Sequence, residues 1–208
     1  MRSKALKVFF IYLCYIAVHT GLTLLIKYFD NYAVYTILLR FFNIIELGFL
    51  SYFVYLSIKN ALAKKIIIVA QPLFILYCIY DYMSSKQPSI GYFPAAVECI
   101  LMLSFIIYFF FELMQEVLTV PLYLTIEFWL AVALILYFSG NFFLFVYSRS
   151  MIEDKGFLAM YKIVYSTIII IKNTFISIAI IHKSNSGNNK RSDDYFDSQS
   201  NYFPSLDN

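Results

Sequence analysis

Apolar residues run along the chain in six long blocks, separated by short polar interruptions. The blocks cover 5–26, 33–58, 65–83, 93–117, 121–148 and 157–182. A helix that crosses a hydrocarbon core takes about 20 mostly apolar residues, and each block meets that length. The runs are continuous and lack the turn-spaced alternation of a membrane barrel, so the backbone polar groups must be satisfied within helices. The pattern predicts an all-α fold, a polytopic bundle of six transmembrane helices over residues 1–183.

Composition gives the same answer for a separate reason. Of the 208 residues, 61% are hydrophobic and 14% charged, against roughly 45–50% and about 25% in soluble domains. A soluble core of this length has no room for the surplus, which lipid must cover. Arg2, Lys4 and Lys7 before the first block resemble the start of a signal peptide. The apolar stretch is too long for one and no A-x-A site follows, so it reads as a retained anchor helix.

Lys and Arg in short loops orient a membrane protein. Arg2, Lys4, Lys7, Lys59, Lys64, Lys65, Lys183, Lys190 and Arg191 fall on one side, and Lys27, Lys86, Arg149 and Lys155 on the other. Both termini are therefore expected in the cytoplasm, on the inner face of a bacterial cytoplasmic membrane. Glu112 and Glu116 run against this trend, but acids weigh little in the rule. A net charge of +3 is too small to imply a nucleic-acid partner. The expected surroundings are the lipid bilayer, with a membrane signalling partner or a second copy of the chain beside it.

The loops leave no space for an inserted domain. Pro94 and Pro121 sit at the first turns of the fourth and fifth blocks, where a missing N–H costs nothing. Pro72 lies inside the third and is expected to kink it. From Ser184 the chain changes to "SNSGNNKRSDDYFDSQSNYFPSLDN", a stretch of Ser, Asn, Asp and Gly with no apolar periodicity. Residues 184–208 are expected to form a disordered cytoplasmic tail, with Tyr195, Phe196, Tyr202 and Phe203 as a candidate docking motif. Cys14, Cys78 and Cys99 fall inside apolar blocks without a CxxC pair and read as small hydrophobes rather than a disulfide or metal site.

Ionisable residues inside a membrane are costly and usually face the bundle interior. Here they are His19, Arg40, Glu46, Glu98 and Lys172, with Asp81, Glu127 and Lys162 nearer block ends, where a long lysine snorkels to the interface. Counting depth along each helix permits two opposite-charge pairs, Glu46 with Lys172 and Arg40 with Glu98. Asn43 shares a face with Glu46 at i,i+3; Ser166, Asn173 and Ser177 share another at i, i+7, i+11; Tyr137, Asn141 and Ser148 align similarly. Arg40, Asn43, Glu46, Glu98, Asn141, Lys172 and Asn173 are the candidate set for one polar group. It reads either as interhelical glue or as a ligand or ion pocket opening outward.

"LYFSGNFFLFVYS" places Ser139, Gly140 and Asn141 in a row within an aromatic helix. Gly140 lets another backbone approach, at about 1 kcal/mol of helix propensity relative to Ala. Ser139 can bond the carbonyl four residues back. The expectation is a close helix contact, with Asn141 reaching the interior polar group near the second and sixth helices.

No HExxH, G-x-S-x-G, Walker loop or metal-ligand spacing is present in the sequence, so no catalytic residue, metal or cofactor is expected. A carboxylate enzyme built on Glu46 and Glu98 is the weakest of three readings. A faint echo between "IIELGFLSYFVY" and "AVECILMLSFIIYF" suggests the internal repeats of transporters, although chance likeness in so aromatic a chain is the plainer reading.

"NIIELGFLSYFVY" (43–55), "AAVECILMLSFIIYFFFELMQE" (95–116) and "EFWLAVALILYFSGNFFLFVYS" (127–148) together resemble an uncharacterised family of small polytopic membrane proteins of Bacteroidota. The likeness covers about residues 6–182. It implies that Glu46, Glu98, Trp129, Ser139, Gly140 and Asn141 are shared positions, with Trp129, Ser139 and Gly140 at helix contacts. It also implies a seventh helix preceding the first one here. Relatives carry a His and two Asn on the sixth helix where this chain has Tyr165, Ile169 and Asn173, which removes support for a His-based role. Members often accompany sensor histidine kinases, which implies a sensory or accessory membrane module. A small secondary transporter or channel using the intramembrane Glu, Lys and Arg is the alternative.

Overall fold

A computed structural model describes residues 2–29, 32–84, 92–116, 121–151 and 155–200. Six helices account for nearly all of them: α1 (Arg2–Tyr28), α2 (Tyr32–Ser57), α3 (Ala61–Ser84), α4 (Tyr92–Gln115), α5 (Ile126–Met151) and α6 (Lys155–Ser200), with a 3₁₀ turn at Leu122–Leu124. Each contains a span of 23 to 25 residues apolar enough to cross a membrane. At about 1.5 Å per residue that is some 35 Å, sufficient for a hydrocarbon core of about 30 Å. The protein is an all-α membrane bundle.

Three boundaries differ from the pattern of apolar blocks by four residues or more, each for a local reason. α3 begins four residues before 65, because Asn60 caps it: its Oδ1 accepts the backbone N–H of Leu62 at 2.8 Å and of Ala63 at 3.4 Å. Such a side-chain acceptor satisfies donors that a helix start leaves orphaned. α5 begins at Ile126 rather than Pro121, since Thr125 is extended (ψ 144°) and its hydroxyl and N–H both close back on the Leu122 carbonyl. α6 continues to Ser200, so its backbone is helical through 184–200, where composition reads as an irregular tail. The apolar part of α6 stops at Ile181. Tyr202, Phe203 and the rest of 201–208 lie outside the described residues, as does Lys86. α3 runs helically through Pro72, which is exposed.

The strongest helix pairings are α4 with α5, α5 with α6 and α1 with α2, and α2 against α4 joins the two halves. α3 lies more lightly on α2 and α4. The span of α5 is 44% buried and that of α3 only 11%, which makes α5 central and α3 peripheral. The core between α2, α4 and α5 is built of Leu50, Phe53, Val54, Met102, Ile106, Leu130, Leu134 and Phe138. Facing outward are Phe10, Val18, Leu24, Ile66, Val69, Leu73 and Leu76. So much exposed aliphatic surface suits lipid and not water.

At one end of the bundle α4 clamps the turn between α2 and α3. The Glu112 carboxylate accepts the backbone N–H of Lys59 at 2.6 Å and of Asn60 at 2.9 Å. One turn on, Glu116 pairs with the Lys59 ammonium at 2.7 Å. The two acids that run against the loop-charge trend therefore serve as hydrogen-bond acceptors and ion-pair partner for a helix junction.

Candidate functional site

Five helices bring polar side chains to the middle of the bundle, where a charge is costly without a partner. Glu46 of α2 is buried and accepts a 2.5 Å hydrogen bond from the hydroxyl of Tyr12 on α1. The Tyr137 hydroxyl on α5 and the Lys172 ammonium of α6 both lie close enough to act electrostatically on the same carboxylate. The Lys172 ammonium stands 4.1 Å from the centroid of the Tyr137 ring. The Tyr137 ring face thus holds the cation, a cation–π contact worth about 2 kcal/mol or more when desolvated.

Glu98 of α4 is equally buried and lies close enough to Glu46 for their charges to interact. Its Oε1 has no hydrogen-bond partner, nor has Oδ1 of Asn141, which is 1% exposed and one turn beyond Tyr137. Two enclosed acceptors therefore lack a donor among the described residues. Each such atom costs on the order of 1–3 kcal/mol unless a proton, water or ligand donor supplies the bond.

Of the two expected ion pairs, Glu46 and Lys172 come within range of each other's charge, with the ammonium over the Tyr137 ring, whereas Arg40 turns to Asp81 and not to Glu98. Arg40 points along α2 toward α3, where its guanidinium is 3.5 Å from Asp81 and lies 5.2 Å from the Tyr82 ring centroid. Depth along the helix pointed to Glu98; the rotation of α2 about its axis turns Arg40 to Asp81 instead. Asn43 follows Arg40 rather than Glu46 and lines a lateral cleft of about 560 Å³ between α2, α3 and the start of α4. Ile37, Phe41, Ile44, Ile75 and Ile79 make half of that wall. Asn173 also departs from the expected set: it is exposed, as are Ser166 and Ser177. The i, i+7, i+11 face of α6 turns out of the bundle because Lys172, Ile176 and Ala179 occupy the inward one.

The Ser-Gly-Asn run lies where α5 meets α6. A Cβ built on Gly140 would stand 2.7 Å from Ile168 Cδ1, so glycine is what allows this approach. Ser139 donates to the carbonyl of Leu136 at 3.3 Å, three residues back rather than four. Trp129 donates to the Tyr123 carbonyl at 2.7 Å and stacks on Phe175 of α6 with centroids 5.7 Å apart, tying the 3₁₀ turn to both helices.

Tyr12 had no distinguishing signal in a chain with 19 tyrosines. His19 sits in an aromatic pocket, 4.3 Å from the Phe42 centroid, away from the polar centre. The three cysteines are free; Cys99 is buried, Cys78 half-buried and Cys14 exposed. No group of three His, Cys, Asp or Glu that could hold a metal occurs among the described residues. No protein-family model, curated protein or solved structure matches the chain.

Proposed function

We propose that the protein is a sensory or accessory membrane module that takes an apolar or amphipathic ligand in the cleft between α2 and α3. The observation that carries this reading is the cleft itself: about 560 Å³, largely apolar, with Arg40, Asn43 and Tyr82 as its polar-bearing residues. Small-molecule sites are of this kind, apolar volumes of several hundred Å³ with few polar anchors. An anionic head group would compete with Asp81 for Arg40. Filling the cleft bears on α3, the most lightly packed helix, and α3 is joined to α2 at the Lys59–Asn60 turn held by Glu112 and Glu116. Under the loop-charge rule that turn faces the cytoplasm of a bacterial cell, together with both termini. Ligand at one end of α3 would thereby change a surface at the other that a signalling partner can read.

The test is saturable binding of a fluorescent fatty acid to the protein in nanodiscs. Thiol reactivity of an Asn60→Cys variant, measured with and without the probe, is the second readout. The expected result is binding that Ile75→Trp abolishes, with the reactivity of the introduced thiol changing only when the probe is bound. Equal binding by the cleft-filled variant would discard the reading.

A second reading, a small cation- or proton-coupled transporter or channel, is favoured by Glu46 and Glu98 lying within range of each other's charge, with the Glu98 Oε1 unpartnered among the described residues. Proteoliposome flux driven by a proton or sodium gradient, and lost in Glu98→Gln, would support it; gradient-independent behaviour would remove it.

A further inference from the structure

α3 and α6 are both peripheral, yet their outer faces differ in chemistry. Mid-span, α3 presents Ile66, Ile68, Val69, Leu73 and Leu76 outward, which is what lipid accepts. α6 also exposes Ile163, Ile171 and Ile181, but along one stripe it presents Ser166, Ile170, Asn173 and Ser177. At 3.6 residues per turn these four lie within about 60° of one another, on the side away from Lys172. Within the span Ala159–Ile181, Asn173 is only about 5 Å from the midpoint, so its amide faces hydrocarbon in the isolated chain. The Ser177 hydroxyl donates at 2.9 Å to the Asn173 carbonyl of its own helix. It needs nothing further and leaves a small surface beside the amide.

We infer that this stripe is the contact surface for a second copy of the chain, packed α6 against α6 about a two-fold axis normal to the membrane. Two copies inserted in the same orientation place Asn173 at the same depth by symmetry. A carboxamide both donates and accepts, so it is complementary to itself. Small residues flanking a polar one are the usual means by which membrane helices approach and bond. A single Asn in such a seam also sets register. Any other partner would have to supply a polar group at that depth, whereas the second copy supplies one necessarily.

The experiment uses the full chain in lipid bilayers, with subunit stoichiometry read by single-molecule photobleaching across a range of protein densities. The native chain is expected to show a monomer–dimer equilibrium, and Asn173→Leu to weaken it at least tenfold. In a background of Cys14→Ser, Cys78→Ala and Cys99→Ala, the single variants Ser166→Cys, Ile170→Cys and Ser177→Cys should cross-link. Val164→Cys and Ile171→Cys, exposed on α6 but off the stripe, should not. A native chain that stays monomeric at every density, a dimer indifferent to Asn173→Leu, or equal cross-linking at both sets of positions would each overturn the inference.

Discussion

Tyr137 acts on Glu46 through its hydroxyl and on Lys172 through its ring, so its two halves can be removed separately. Tyr137→Phe takes away the hydroxyl dipole beside a buried carboxylate while keeping the ring under the ammonium, and should cost about 0.5–1.5 kcal/mol. Tyr137→Leu removes both interactions and should cost more; unfolding in mixed SDS micelles measures the difference. Glu46→Gln or Lys172→Met alone strands a charge and should destabilise by about 3–5 kcal/mol, while the double variant recovers much of it. A cycle in which the two losses simply add would show that the charges do not act as a pair. Gly140 is a third separable case. Gly140→Ala gains about 1 kcal/mol of helix propensity but drives a methyl into Ile168, an overpacking worth about 1–3 kcal/mol. The expected net is a loss that Ile168→Val reduces, because that change removes the Cδ1 standing 2.7 Å away.

Among the helices, α3 is the one whose position depends on a few specified contacts. Its buried residues are Ile67 and Phe74. Beyond these it is held by Gln71, which hydrogen-bonds Ser51 of α2, by the Arg40–Asp81 ion pair, and by the clamp at its N-terminal junction. Glu112→Ala should therefore act locally. It removes the acceptor for two N–H groups and an anion from a helix start, together worth about 1–2 kcal/mol. Amide hydrogen exchange at Lys59 and Asn60 should accelerate by about tenfold or more, with the α4–α5 core unaffected. Exchange that rises evenly through α5 would show instead that the clamp supports the whole bundle.

For the whole molecule, the even number of crossings puts the α2–α3 turn on the same side as the amino terminus. Lys59→Cys or Lys64→Cys should react with an impermeant maleimide only after the membrane is opened from the cytoplasmic side. Lys27→Cys should react from outside. The reverse pattern would invert the orientation without altering the fold, since the loop-charge rule and the packing are independent.

The chain by itself determined the solvent, the number of crossings and the roster of intramembrane polar groups. Hydrocarbon tolerates only backbone that is satisfied internally and few charges, so the six apolar blocks and their exceptions stand out without knowledge of contacts. Spacing along a helix gives the angle between two of its side chains, but not the angle of the helix against its neighbours. Only tertiary packing rotated α2 so that Glu46 faces Tyr12 and Tyr137 while Arg40 meets Asp81, and rotated α6 so that Lys172 enters the core and Asn173 leaves it. Tyr12 and Glu112 were invisible for the same reason: one resembles any aromatic facing lipid, the other any acid in a loop, until a particular neighbour gives each its bond.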